Sequence, residues 1–475
     1  MSSAADVGQP EEGLRGETIT DGRFVTWELA QWIAGMQRED LPDDVVEEAG
    51  RAFTDCLGES LFVGATKPWG QSIAAYAAQS GGGQPEATII ATGKKTLASR
   101  AALANGTMAL GFEYADFGAG ARPYPFAVPG PLAVAESRQL PGRDLVLAIV
   151  ICYEVMDRTI KAMIRRDVLS GFYVPAVYGT LGSAAACARL LKLSPQYTNY
   201  ALGLAAAFTG GTFQGHEEGA WQRSLNGGMG GERGVTAAEL AATGFRATEL
   251  AFEGVQGFAQ SFTGGRLDPD ALLDNLGREY VITDRWVKNF PMNVTLHAPV
   301  EALLAILREH DVQYTDIEEI DAGWQKVEPF LAKHRVSTVV AAQASLPFAL
   351  SVAAVHRKVG VDQFTEETVA DPAVQGLIPR VSVHQDVDLI SKVKNSMPAR
   401  VTVRTKDGRE FTEEVLYPKG NPSNRHTEDE FKGKFMDMAE RVLGYAQADE
   451  LYQRSRDIDN IKNVADLAPL FSPKH

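Results

Sequence analysis

Cysteine is scarce in this chain. Cys56, Cys152 and Cys187 each sit inside an apolar helical stretch, and no paired spacing suits a disulfide framework or a zinc site. That usage fits a reducing cytoplasm. Positive charge is also short: 46 Lys and Arg against 61 Asp and Glu leave a formal net charge of -15, which argues against a nucleic-acid surface. It does not exclude an anionic small molecule, because a local arginine cluster can sit in a negative protein. Long apolar runs are missing too. The longest, Leu145 to Tyr153, ends in Glu154 and is far too short for a bilayer, so no membrane partner is expected. The N-terminus has no charged segment leading into an apolar core, so no secretory signal is expected. Neither G-x-G-x-x-G after a strand nor G-K-[ST] occurs, which weakens a nucleotide reading.

What remains is ordinary globular composition, 45% hydrophobic and 23% charged, over a length that suits two domains. Residues 1–20 are polar and expected to be disordered. From 21 to 278 the pattern is helical. Helices are expected from Trp27, from Asp43, over Gln71 to Gln79, Leu97 to Leu110, Asp144 to about Arg165, Gly179 to Leu191, Tyr197 to Ala207 and Val235 to Thr243. A turn is expected at Gly81 to Gly83 and a short strand at Ala87 to Ala91. Between 279 and 415 strands alternate with helices, which indicates a smaller α/β domain. Strands are expected at Tyr280 to Ile282, Ile317 to Gly323 and Val381 to His384, with helices over Pro299 to Glu309 and Gln343 to Val355. Ala399 to Thr405 and Glu410 to Val415 read as a hairpin turning at Asp407-Gly408. Thr427 with Glu430 is a capping-box pattern opening a helix to Leu443, and residues 416–475 are expected to pack back on the helical domain.

Two stretches interrupt the helical pattern. In Asn105 to Glu136, apolar helix runs into Glu113 and Asp116, then a connector from Gly118 to Ala121, then Arg122 and Pro123-Tyr124-Pro125. Glycine frees the backbone while proline denies a helix interior, so the stretch is either an active-site wall or an exposed helix connection. Residues 213–234 hold Gly227, Gly228, Gly230, Gly231 and Gly234 ahead of the helix expected at Val235. These glycines either cradle an anion at a helix start or permit close helix packing.

Several segments together carry a resemblance: Asp55-x-x-Gly58, Asn105-Gly106, Gly171-Phe172, Gly179-Thr-Leu-Gly-Ser-Ala-Ala-Ala and Gly234-x-x-Ala-Ala-x-Leu-Ala-x-x-Gly-Phe245. Phe290-Pro291 through His297 and Ser345-Leu-Pro-Phe348 complete the set, which spans roughly residues 25 to 445. In order and spacing the chain resembles the MmgE/PrpD family, which contains 2-methylcitrate dehydratases, cis-aconitate decarboxylases and an iminodisuccinate epimerase. The resemblance implies a mainly α fold, a large all-helical domain with a smaller α/β lid domain, a homodimer, and no metal or organic cofactor. The chain departs from the family pattern at several points. Leu110 stands for a histidine, Glu113-Tyr114-Ala115-Asp116 for an acidic cluster, Arg122 for the histidine of a His-Pro, Tyr173 for a histidine and Arg223 for a lysine. His297 is kept.

Family lyases remove water or carbon dioxide from di- and tricarboxylates with protein acid/base groups and cations that hold carboxylates. Guanidinium grips a carboxylate bidentately but does not release its proton near neutrality, so Arg122 and Arg223 are expected to bind substrate. Proton handling then falls to Glu113 or Asp116, Tyr173 and His297, whose imidazole ordinarily titrates near neutrality. Asn226 and Tyr124 are expected at the substrate, and Lys288 is a further candidate. The structural alternatives are a surface ion pair for Arg223, a packed loop aromatic for Tyr173 and a helix cap for His297. His216-Glu217-Glu218 is either a second acid/base group or a solvated charge run. Three functions fit: a cofactor-independent dehydratase or decarboxylase acting on a small carboxylate, an isomerase, epimerase or cyclase using the same pocket, or a non-catalytic binding paralogue.

Overall fold

The computed structural model describes residues 17–79, 85–118, 121–164, 171–324, 329–393 and 395–474. The expected turn at Gly81 to Gly83, the middle of the Gly118 to Ala121 connector, the helix end at Arg165 and most of the N-terminal stretch lie outside them. Of that stretch, Ile19 donates its amide to the Glu253 carbonyl at 2.8 Å.

The fold is mainly α, with a smaller α/β part. Its helical body is built around α1 (Asp43–Thr66), α2 (Ala98–Ala109), α3 (Gly142–Met163), α4 (Val174–Leu190) and α5 (Gln222–Ala242). α5 packs on both α2 and α4, and α4 also packs on α3. The glycines of 227–234 lie inside α5, which begins at Gln222 rather than Val235. A Cβ on Gly228 would lie 2.1 Å from the Leu103 carbonyl oxygen, and one on Gly106 would lie 2.8 Å from that of Gly227. Each interior glycine costs a helix roughly 1 kcal/mol, and here the cost is offset by bringing two helix backbones into contact. No helix among the described residues is long and apolar enough to cross a membrane.

Farther along, α6 (His297–His310) leads into β1 (Ile317–Trp324). Then come α7 (Leu346–His356), β2 (Val381–Gln385), β3 (Ala399–Thr405) and β4 (Glu410–Val415). The four-stranded sheet runs β2-β1-β3-β4, with β1 parallel to β2 and the other pairs antiparallel. Ala399, Val401, Val403 and Thr405 are buried in strict alternation, the period-2 signature of a sheet with one covered face. Ser345 caps α7 by accepting the Phe348 amide at 3.2 Å, so Gln343 stays outside the helix expected to begin there. The strand expected at Tyr280 to Ile282 is instead a turn of 3-10 helix, Val281–Asp284. Its Val281 amide goes to Glu154 Oε1 (2.6 Å) and Ile282 packs in the helical core, so the segment is held without strand pairing. The strand expected over Ala87 to Ala91 shrinks to a two-residue ladder, Ala87–Thr88 with Lys95–Thr96.

Finally α8 (Glu428–Leu443) and α9 (Tyr445–Arg456) pack against α1. The Thr427–Glu430 capping box is formed in both directions. Two apolar cores result. One holds most of the helical body, including Ala115, Tyr124 and Tyr173; the other joins the sheet and its helices to Met108, Phe112 and Tyr114. Glu113 lies at the seam between them. The stretch expected as a wall or an exposed connection is buried from Asn105 to Asp116 and again from Ala121 to Glu136.

Candidate active site

Where α2 ends, the chain turns sharply through Gly111 and Phe112, and Glu113 adopts a left-handed backbone with φ +57°. Its neighbours fasten the turn by its carbonyls. Trp69 Nε1 donates to Gly111 O (3.1 Å), Gln343 Nε2 to Phe112 O (2.5 Å) and Lys288 Nζ to Glu113 O (2.6 Å). That backbone sends the Glu113 side chain into a buried nest of cations. Its carboxylate pairs with Arg122, with Arg223 near the start of α5, and with Lys288 Nζ at 3.3 Å. Arg122 Nη1 in turn donates to the Tyr173 phenol oxygen at 3.3 Å. Tyr173 stands just before α4, anchored by its amide to the Gly211 carbonyl (2.9 Å).

Three basic side chains therefore share one buried carboxylate. Burial, reinforced by the charges of Arg122 and Arg223, pushes the Lys288 ammonium well below its ordinary range. Burial also brings the Arg223 guanidinium down to about 10. Nε and Nη1 of Arg223 have no hydrogen-bond partner among the described residues. Buried donors are normally matched, so the two unpartnered N–H groups of this guanidinium set it apart from an ordinary buried ion pair.

Histidines flank the nest. His297 opens α6, its ring is hydrogen-bonded by the Met292 backbone, and Nε2 has no partner among the described residues. Burial, and then the Lys288 charge, hold its pKa well below the ordinary imidazole value, so the expectation of titration near neutrality does not hold for the unliganded site. His216 is buried against Tyr173, Phe213 and Phe330, while only Glu217 and Glu218 face solvent. Burial and the Arg122 charge lower its pKa to about 3, so the solvated charge run covers two residues and not three.

Of the residues singled out in sequence, Glu113, Arg122, Tyr173 and Arg223 are brought into one hydrogen-bonded cluster. Asn226 follows Arg223 by one helical turn and donates to its carbonyl (3.2 Å). Asp116 and Tyr124 lie in a neighbouring network. Asp116 Oδ2 accepts from the Tyr153 hydroxyl at 2.5 Å and faces Arg285 Nη1 at 3.6 Å, while Oδ1 accepts the Tyr124 amide (3.2 Å). The Tyr124 hydroxyl donates to Glu59 rather than facing the three cations. On the Asp116 side a cavity of about 540 Å³ is lined by Tyr153, Lys161, Arg285, Trp286, Asn395 and Asn421, among others. Lys288, a secondary candidate in sequence, is central. Gln343 and Glu59 carried no sequence signal, because each acts through backbone groups that only the fold brings near. Among the described residues no group of His, Cys, Asp and Glu is arranged to hold a metal ion.

The MmgE/PrpD N-terminal domain family model matches residues 27–269 and the C-terminal domain model residues 290–458. The chain belongs to the MmgE/PrpD family. It is 26% identical over 487 residues to the cis-aconitate decarboxylase-like protein oryM of Aspergillus oryzae, spanning 96% of this chain and 99% of that protein. It is 25% identical to a cis-aconitate decarboxylase of Aspergillus terreus (94% and 96% of the two chains). Against the cis-aconitate decarboxylase of Homo sapiens the identity is 23% (94% of each). At the level of the family, these relatives support a lyase-type enzyme.

Proposed function

We propose that the protein is a cofactor-independent lyase, a dehydratase or decarboxylase, acting on a small molecule with at least two carboxylates. One observation carries the reading: Glu113, Arg122, Arg223 and Lys288 form a buried cluster with three cations to one carboxylate, and part of Arg223 is unmatched. A substrate carboxylate fits against the Nε or Nη1 donor of Arg223 and supplies further negative charge. Its arrival also favours the charged form of Lys288, which the empty nest disfavours.

In a decarboxylation, the bond to the second carboxylate breaks, carbon dioxide leaves, and the electron pair stays on carbon. Lys288 as ammonium, or the Tyr173 phenol, returns a proton to that carbon. In a dehydration, Glu113 or neutral Lys288 takes the proton next to a carboxylate and Tyr173 protonates the departing hydroxyl. Arg122 and Arg223 remain charged throughout and stabilise the enolate-like charge that develops on the gripped carboxylate. Asn226 and His297 border this space, His297 as a neutral ring.

The test is a panel of small di- and tricarboxylates, cis-aconitate first, followed by NMR in deuterated water. The expected result is loss of carbon dioxide or water with one deuterium incorporated on decarboxylation. Reversible exchange of a carbon-bound proton without loss of either would replace the lyase reading with an isomerase or epimerase. Neither turnover nor a ligand-induced thermal shift would leave a non-catalytic paralogue.

A further inference from the structure

We infer that Glu59, on α1, is the positioning residue of this site: one buried carboxylate holds both the turn that aims Glu113 and the segment that carries Arg122. The inference rests on the reading of Glu113 and Arg122 as substrate-site residues.

Glu59 is fully buried. Its Oε1 accepts the Phe112 amide at 2.7 Å and the Tyr114 amide at 3.4 Å, the two peptide groups that bracket Glu113. Between them Glu113 holds its left-handed φ of +57°, a conformation that is strained for a residue with a side chain and persists only when its surroundings enforce it. Trp69, Gln343 and Lys288 fasten the carbonyls of this turn, and Glu59 fastens amides. The other oxygen, Oε2, accepts from the hydroxyl of Tyr124, two residues after Arg122. Both halves of the Glu113–Arg122 pair are thus tied to a single side chain on a long, rigid helix. A carboxylate is acceptor-only and serves all three donors at once, each bond strengthened by its charge. A protonated or amide side chain must itself donate through one end, so the Tyr124 hydroxyl has to turn and accept and the bonds to the two amides weaken.

Several groups bias that charge. Burial raises the Glu59 carboxyl to about 7, against the hydrogen bonds from Tyr124 and Phe112 and the charges of Lys288 and Lys434. Arg223 also feels Glu59. Asp55 and Cys56 lie on the same helix, and both of them act, with Glu59, on Tyr124. Glu59 therefore changes charge where its effect on the turn is measurable.

The experiment compares wild type with Glu59→Gln and Tyr124→Phe by amide hydrogen exchange at Phe112 and Tyr114, together with the pH dependence of kcat and KM on whichever carboxylate is turned over. The expected result for Glu59→Gln is native circular dichroism, at least tenfold faster exchange at both amides, a fall in kcat larger than the rise in KM, and loss of a kcat inflection near pH 7. Tyr124→Phe, which keeps the carboxylate, should show a smaller change of the same kind; it decides the matter if Glu59→Gln does not fold. Unchanged exchange, or a kcat profile with its inflection intact in the folded variant, would overturn the assignment. If wild type turns over no carboxylate, the functional reading fails, while the exchange data still decide whether Glu59 braces the turn.

Discussion

Glu113 and Asp116 are three residues apart in one buried stretch and live in opposite surroundings. Glu113 is one carboxylate among three cations, with an arginine beside it that is only partly matched. Asp116 accepts from the Tyr153 hydroxyl and the Tyr124 amide, and burial raises its carboxyl above the ordinary range. It faces Arg285, whose Nε is held by Glu48 at 2.9 Å while Nη1 and Nη2 have no hydrogen-bond partner among the described residues. Sequence spacing treats the two acids alike. The basic side chains make the difference: Arg122 follows nine residues after Glu113, while Arg223 and Lys288 are brought in from far along the chain. On the proposed reading, a carboxylate shared by three basic side chains is the place for substrate, whereas a carboxylate with both oxygens engaged by a hydroxyl and an amide is a structural joint.

The sharpest way to break this contrast is to neutralise each acid. Glu113→Gln leaves three buried cations without their counter-ion, and stability should fall by about 3–5 kcal/mol with turnover abolished. Asp116→Asn should cost about 1–3 kcal/mol and leave turnover per folded molecule within a few fold. Denaturant melts with parallel turnover assays check both, and equal losses of turnover would merge the two regions into one site. Next in size, Arg223→Lys keeps the charge but loses the planar fork, so carboxylate binding should weaken roughly 10- to 100-fold, about 1.4–2.8 kcal/mol, with the fold intact. Calorimetric titration measures it, and unchanged affinity would remove Arg223 from the site.

Smaller effects concern protons. Glu59 has its folded pKa raised from 4.5 to about 7, so the native state holds this proton more tightly than the unfolded chain. The stability it contributes is present below pH 4.5 and is lost as pH rises through 7. Glu59→Gln should flatten that part of the stability profile. The smallest effect is at His216, lowered from 6.5 to about 3: its ring signals should not move between pH 5 and 8, and its contribution to stability should fade only as pH drops below 6.5. A ring that titrates near 6.5 would place it in water.

Much of this was legible in the chain itself. Hydrophobic period and caps located α1, α8 and the β3–β4 hairpin, and the motif order pointed to the family that both domain models match. Glu113 and Arg122 stood out as charges between apolar helices, and Arg223 as the residue standing for a lysine of the family pattern. At α5 the glycines misplaced the helix start, at Gln222 rather than Val235, while the close-packing alternative holds, set by the backbone of Leu103 on another helix, which no local pattern contains. Tyr124 stood next to the right residues, yet its hydroxyl turns to Glu59 on α1. His216 was hidden by two exposed acids, and Lys288 by having no motif beyond the Phe290-Pro291 that follows it.

Binding of cis-aconitate measured side by side in wild type, Arg223→Lys and Asp116→Asn, at pH 7.5 and without added metal, tests the account most directly. A carboxylate seated at the Glu113 cluster predicts clear weakening in Arg223→Lys and near-wild-type affinity in Asp116→Asn. Full affinity in Arg223→Lys with loss in Asp116→Asn would contradict it and move the substrate to the cavity beside Arg285.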